Sequence, residues 1–332
     1  MPASDMPAPD QPASGTAWSG LRLAVLIPCF NEEVAIAGVV EGFARALPGA
    51  AIYVYDNNSS DRTAETARAH GAVVRHERLQ GKGNVIRRAF ADVEADIYVL
   101  VDGDGTYDPA AAAAMVRLLV AERLDMVTGT RVTDANATYR PGHRIGNIAL
   151  TAIVRHIFGN RISDMLSGYR VFSRRFVKSF PALAAGFETE TEFTVYALEM
   201  KMPVGELPTR YIDRAPGSES KLRTWSDGLR ILTTIVLLVK EERPLQFFGL
   251  AGLLLLLVSV GLGMPVVSNY LQTGLVPRLP TALLATALGL LAFGSLLCGL
   301  ILDSVARGRK EHKRTAYLAI PALSGDEPEP AA

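Results

Sequence analysis

The chain has 332 residues, 49% of them hydrophobic, with 34 Lys and Arg balanced by 34 Asp and Glu. That balance leaves no electrostatic footprint for nucleic acid, and a pair of cysteines, Cys29 and Cys298, excludes a disulfide framework. The length accommodates one soluble domain of about 200 to 240 residues plus a more apolar portion.

Residues 1–20 are rich in Pro, Ala and Ser and lack a basic region followed by an apolar core, so they read as disordered and not as a signal peptide. Short β-rich runs follow at Leu21–Ile27, Ala51–Tyr55, Ala72–Arg75, Asp96–Val101 and Met126–Gly129. Helical patterns separate them at Glu32–Leu47, Asp61–His70, Lys82–Val93 and Ala110–Arg123. Such alternation predicts an α/β domain with a doubly wound, Rossmann-like, mostly parallel sheet, whose ligands gather beyond the carboxyl ends of the strands.

The residues expected at that edge carry chemistry. The first strand runs into Pro28, Asn31 and Glu32, and the second ends in Asp56, a carboxylate placed to accept hydrogen bonds from a ribose or a base. Asp61 reads equally well as a helix cap. Gly81-Lys82-Gly83 opens the third helix with exposed N–H groups and a cation suited to phosphate. The fourth strand ends in Asp102-Gly103-Asp104, while Asp108-Pro109 starts the next helix and fills the cap role. Two carboxylates one residue apart suit Mg²⁺ or Mn²⁺, which takes one or two protein carboxylates and completes its shell with water and substrate phosphates.

Towards the C-terminal end, Leu245–Val267 and Thr281–Leu302 carry no charge, and at about 1.5 Å per residue each is long enough to cross a hydrocarbon core of about 30 Å. Lys240 and Arg243 precede the pair and Arg307, Arg309, Lys310, Lys313 and Arg314 follow it, whereas the connecting loop holds only Arg278. The positive-inside rule then places the soluble domain and both termini in the cytoplasm. Arg144–Phe158 and Ser226–Lys240 read as amphipathic helices at the headgroup level. The expected organisation is a disordered segment at 1–20, a soluble α/β domain at 21–225, an interfacial helix at 226–244, a transmembrane hairpin at 245–302 and a basic then acidic tail at 303–332.

As an ordered set, Ile27-Pro28…Asn31-Glu32-Glu33, Asp56…Ser60-Asp61-Arg62-Thr63, Gly81-Lys82-Gly83, Asp102-Gly103-Asp104, Asp164…Ser167-Gly168-Tyr169-Arg170 and Arg214…Gly217…Ser220-Lys221 resemble the family-two glycosyltransferases of GT-A fold. The resemblance runs from about Leu21 to Gly249 and points to the branch of dolichyl-phosphate mannose synthase and bacterial polyprenyl-phosphate glycosyltransferases. It implies an inverting enzyme that moves a sugar from a nucleotide-diphosphate sugar to a polyprenyl phosphate of undecaprenyl or dolichyl type, for glycoconjugate synthesis at the cell envelope. By the same resemblance Pro28, Asn31, Glu32, Asp56, Lys82 and Asp102 bind the nucleotide sugar, and Asp102 and Asp104 bind the metal. Asp164, as base or positioning group, and Asp104 are the catalytic residues it implies, and Arg131, Arg144, Arg214 and Lys221 hold the acceptor phosphate. Where many such synthases have Asp-Ala-Asp-Leu-Gln, Thr106 stands in the Gln position.

Other readings are weaker. The Gly-x-Gly-x-x-Gly turn of a nicotinamide-dependent oxidoreductase is missing after the first strand, and the Gln-x-x-Arg-Trp motif of processive polysaccharide synthases does not occur. A catalytically inactive membrane scaffold and transfer to a non-lipid acceptor are the competing functions. The expected partners are the nucleotide sugar, the polyprenyl phosphate and the bilayer, and the sequence also admits a homo-oligomer.

Overall fold

The computed structural model describes residues 18–132, 162–186, 188–212, 214, 233 and 236–323. Of the expected site residues, Arg144 and Lys221 lie outside them, as do the whole 144–158 helix, most of the 226–244 helix and the acidic end of the tail. The chain divides into two compact units, one of residues 1–232 with 315–332 and one of residues 233–314.

The first unit is a seven-stranded sheet in the order β3-β2-β1-β4-β6-β5-β7. Its strands are β1 (Leu23–Cys29), β2 (Ala51–Asp56), β3 (Val73–His76), β4 (Ile97–Leu100), β5 (Met126–Val132), β6 (Arg170–Ser173) and β7 (Val204–Arg210). β6 runs antiparallel to both its neighbours, and every other pairing is parallel. Buried on both faces, β1 and β4 are near-continuous apolar runs, as a central parallel strand must be.

The crossovers are α1 (Glu33–Ala46), α2 (Thr63–Ala69), α3 (Lys82–Asp92) and α4 (Ala111–Ala121), followed after β6 by α5 (Arg174–Ser179) and α6 (Thr189–Glu199). Ile36, Val39 and Phe43 of α1 and Met115, Val116 and Leu119 of α4 join Val25, Ile27, Val54 and Val99 of the sheet in one core. A second cluster is aromatic: Phe90, Tyr98, Phe172, Phe176, Phe180, Phe193 and Tyr196 meet at centroid separations of 4.6–6.3 Å.

Two expectations are corrected. The folded chain starts before Leu21, because Trp18 is buried in the core and its carbonyl accepts from Leu21 N. At the other end, 303–332 is not simply a tail: residues through Leu318 are helical, and Tyr317 and Leu323 pack on the sheet unit. Tyr317 donates to the buried Asp125 at 2.6 Å and stacks under the Arg175 guanidinium, which itself grips Asp125 at 2.5 and 2.9 Å.

The second unit is dominated by α7 (Pro244–Thr273) and by α8 (Leu279–Leu318) up to Arg314. Both helices are long and apolar enough to cross a membrane. They meet through small residues: Gly252 lies against Ala292 and Ser295, Gly263 against Ala285, and Gly299 against Leu245 and Phe248. Ser259 donates to the Ala285 carbonyl at 2.7 Å and Ser295 to the Phe248 carbonyl at 2.8 Å, hydrogen bonds that satisfy hydroxyls on otherwise apolar faces.

Candidate active site

Parallel pairing brings the ends of β1, β2 and β4 to one edge, with Cys29 beside Asp56 and Leu26 beside Leu100. Because β6 is antiparallel, its first residue, Arg170, pairs with Leu100 and Thr128, so the segment that carries Asp164, Ser167 and Gly168 reaches that same edge. The sequence-predicted site residues within the described chain therefore converge; Arg144 and Lys221 lie outside the described residues.

The loops after β1 and β2 are laced together. Asn31, at φ 54°, donates from its backbone to Ser59 Oγ at 2.9 Å and accepts from Ser60 N at 2.7 Å, while Glu32 N donates to Thr63 Oγ1 at 2.8 Å. Asp61 accepts from Glu33 N at 3.1 Å and Thr63 N at 3.0 Å, a structural role in which its carboxyl sits below the usual range: burial alone would raise it, and the Thr63 and Glu33 donors outweigh that. Pro28 lies in β1 opposite Tyr55. Asp56 is buried; its Oδ2 is 3.2 Å from His76 Nδ1, and its Oδ1 has no hydrogen-bond partner. Beside it Asn57, a residue the sequence reading passes over, donates to the carbonyls of Glu77 and Leu79 at 2.9 and 2.8 Å and accepts from Gly81 N at 2.7 Å. It shapes the approach to α3.

The acidic pair is held differently at each member. Asp104 is buried, and its Oδ1 accepts from both the backbone N–H and the hydroxyl of Thr106, at 3.1 and 2.7 Å. Thr106 thus fixes the rotamer of Asp104 and leaves Oδ2 facing Arg214 Nη2 at 2.5 Å. Asp102 Oδ1 is 2.5 Å from Lys82 Nζ, which also contacts Glu190 Oε1. Burial pulls the Lys82 ammonium down, but the Asp102 and Glu190 carboxylates overcome it and hold its pKa above the ordinary value. Asp102 is pushed up by burial and by Asp104 and Glu190, against the opposing pull of Lys82. Lys82 is therefore a bridge between two carboxylates.

Glycines make the close approaches possible. A Cβ at Gly103 would stand 2.5 Å from Cys29 Sγ, and one at Gly168 would strike Asp102 Oδ2 and lie 3.2 Å from Lys82 Nζ. Only glycine at 168 keeps the approach to Asp102 open, and its N–H is anchored by Tyr107 Oη at 2.9 Å. The two carboxylates offer a purely oxygen donor set, and no third Asp, Glu, His or Cys joins them among the described residues. That arrangement fits a hard divalent cation whose remaining ligands are phosphate and water.

Asp164 is nearly buried and accepts bidentately from Arg131, Nε at 2.8 Å and Nη2 at 2.7 Å. The guanidinium lies over the Tyr211 ring at 5.8 Å. Ser163, next to Asp164, is tied to Glu206 of β7 at 2.6 and 2.8 Å. Arg170 is fully buried and donates to the carbonyls of Met165, Ser167 and Glu190 at 2.6, 3.0 and 3.2 Å, so it braces both the Asp164 segment and the start of α6; burial brings it down to about 10. Glu190 escapes sequence reasoning because Glu188-Thr189-Glu190-Thr191-Glu192 reads as a solvated helix face, and no periodicity marks it.

The glycosyl transferase family 2 model matches residues 24–180. Glycosyltransferase AglJ of Haloferax volcanii is 33% identical over 270 residues, covering 78% of this chain and 82% of that protein. The chain is a family 2 glycosyltransferase. A second relative of this glycosyltransferase, the dolichyl-phosphate hexose transferase of Haloferax volcanii, is 30% identical over 221 residues and is matched across 95% of its length. Among solved structures, glucosyl-3-phosphoglycerate synthase from Mycobacterium tuberculosis, in complex with Mn²⁺, UDP and glucosyl-3-phosphoglycerate, superposes with a TM-score of 0.56 at 22% identity, over 68% of this chain and 85% of that one. That likeness establishes the fold, a mostly parallel GT-A domain.

Proposed function

We propose that this glycosyltransferase moves a hexose from a nucleotide-diphosphate sugar to a polyprenyl monophosphate at a membrane surface, with inversion at the sugar carbon. The observation that carries the reading is the 2.5 Å contact between Asp104 and Arg214, which puts a carboxylate fit for a donor-bound cation in touch with a cation fit for an acceptor phosphate. The hexose and the lipid acceptor follow the relative named as a dolichyl-phosphate hexose transferase, which this chain matches at 30% identity, and the two membrane-length helices of this chain suit such an acceptor.

In this mechanism Asp56 accepts from the nucleoside through its unpartnered Oδ1, and Asp102 and Asp104 would hold Mg²⁺ or Mn²⁺. The metal, when bound, neutralises charge growing on the leaving diphosphate. A phosphate oxygen of the acceptor attacks the anomeric carbon, the bond from that carbon to the diphosphate oxygen breaks, and its electron pair leaves with the nucleotide. A phosphate monoester has a second pKa of about 6, so the nucleophile is already anionic near neutrality and needs no strong base. Asp164, clasped by Arg131 through both oxygens, accordingly serves to aim Arg131 at the acceptor phosphate. Arg144 and Lys221 are further acceptor-phosphate candidates on the family resemblance.

The full chain in detergent, given polyprenyl phosphate and a panel of nucleotide sugars, yields a lipid-linked sugar detectable by mass spectrometry, and chelation abolishes it. Free sugar alone, or transfer only to water-soluble acceptors, refutes the reading. The two long helices form a hairpin through the membrane with the sheet domain on the cytoplasmic side, as the flanking positive charges suggest. A cysteine replacing Thr273 then reacts with an impermeant thiol reagent on intact cells, and one replacing Thr315 only after permeabilisation; the reverse pattern overturns the orientation.

A further inference from the structure

We propose that His76, the last residue of β3, is the positioning residue of the nucleoside subsite: its Nδ1–H fixes the Asp56 carboxylate and leaves Oδ1 as the atom presented to the donor. This rests on the reading of Asp56 as the nucleoside acceptor.

The backbone around Asp56 is pinned from both sides, since Asn57 N donates to the Cys29 carbonyl at 2.9 Å and Glu77 N to the Asp56 carbonyl at 3.0 Å. The freedom that remains is in the side chain, and the last torsion of an aspartate is broad and roughly twofold. β2 and β3 pair in parallel with Asp56 opposite His76, so carboxylate and imidazole stand side by side on one face of the sheet. His76 Nδ1 lies 3.2 Å from Oδ2, whereas Oδ1 has no hydrogen-bond partner.

The far side of the ring assigns its proton. Arg68, in the last turn of α2, brings Nη2 to 3.2 Å from His76 Nε2. A guanidinium only donates, so Nε2 accepts, and the neutral ring carries its hydrogen on Nδ1, where it donates to Asp56 Oδ2. Arg68, His76 and Asp56 thus form a directed chain that ends at a buried carboxylate. The His76 side chain is more than half exposed, so its replacement opens no core cavity.

The test begins with the wild-type full chain in detergent, labelled with ¹⁵N-histidine and read by magic-angle-spinning NMR at mildly alkaline pH, the His76 signals being those missing from His76→Asn. A neutral ring protonated on Nδ1 is expected; a ring protonated on Nε2, or on both nitrogens, overturns the chain. Calorimetric titration then compares UDP and GDP, each with Mn²⁺, against pyrophosphate with Mn²⁺, which offers phosphates without a nucleoside. His76→Ala weakens the tighter-binding nucleoside diphosphate by about two- to twelvefold, the worth of one hydrogen bond, and leaves pyrophosphate unchanged. His76→Asn, whose amide nitrogen stands where Nδ1 stood, recovers most of that loss. Unchanged nucleotide affinity in His76→Ala, equal weakening of pyrophosphate, or an Asn variant no better than Ala overturns the positioning role. Asp56→Asn separates the underlying reading: unchanged nucleotide affinity there removes Asp56 from the subsite and His76 with it, whereas weakening in Asp56→Asn with none in His76→Ala removes the role of His76 alone.

Discussion

Asp56→Asn is the substitution whose two consequences should diverge most. Asp56 is 4% exposed; its Oδ2 faces His76 Nδ1 at 3.2 Å and its Oδ1 is buried without a partner. An unsatisfied buried acceptor costs about 1–3 kcal/mol, and more when it belongs to a charged group. Asparagine keeps the shape and removes the charge, while the backbone bond from Glu77 N to the carbonyl of residue 56, 3.0 Å long, is untouched. The ligand-free protein should therefore unfold at the same temperature as wild type or slightly higher.

Binding of the donor goes the other way. If the orphaned oxygen accepts from the nucleoside, the amide that replaces it either turns its NH2 to the ligand donor and forfeits the bond or keeps its oxygen there and loses the charge that strengthens it, a loss of about 1–3 kcal/mol. At 1.4 kcal/mol per tenfold, that is a loss of about 5- to 150-fold in affinity. Calorimetric titration with a series of nucleoside diphosphates, beside a thermal scan of the ligand-free protein, measures both. Unchanged affinity across the series, or a ligand-free variant destabilised by more than about 1 kcal/mol, would falsify the assignment, since Asp56 would then be a structural carboxylate.

Arg170→Met should be among the most damaging changes away from the acidic pair: it strands the carbonyls of Met165, Ser167 and Glu190, and a cost of about 3–5 kcal/mol is expected for breaking a buried charged network. At about 2–4 °C per kcal/mol for a domain of this size, a fall in melting temperature of only a degree or two would show that the sheet holds the Asp164 segment without it. Tyr317→Phe removes one charge-assisted hydrogen bond to Asp125, while Arg175 and Ser173 continue to satisfy that carboxylate. Hydrogen exchange should quicken at the end of α8 and leave the strands unchanged; exchange like that of wild type would mean the contact contributes nothing.

The first half of the sheet was legible because its signals are local. Expected and observed ends of β1, β2 and α3 differ by no more than two residues, since each is an apolar run or stripe bounded by turn residues. β6 was not legible: it is four residues long and begins with a buried arginine, which its own sequence marks as surface. α6 was hidden for a related reason, since its acidic residues are buried only because partners distant in sequence receive them, the Lys82–Glu190 contact spanning 108 residues. The acidic pair and the loops after β1 and β2 could be read because position at a strand end is a local property. What satisfies each charge there is a tertiary property, and the pairing of Asp164 with Arg131, of Asp104 with Arg214 and of Lys82 with two acids emerged only from the fold.

Those pairings bear on how a site so rich in carboxylates stays folded before any ligand arrives. Like charges gathered at one edge repel, and each buried carboxylate also forfeits hydration, so an unbalanced cluster would favour local unfolding. Here Asp102 is met by Lys82, Asp104 by Arg214 and Asp164 by Arg131. Asp56 and Glu190 each retain one buried oxygen without a partner, a cost left standing in the ligand-free chain. A ligand that brings donors to those two atoms recovers the cost on binding, whereas one that merely adds negative charge has to compete with carboxylates for the same cations. Discrimination between ligands at this edge therefore follows from which acids the fold has satisfied and which it has not, and an anion enters readily only with a cation of its own to replace those already engaged.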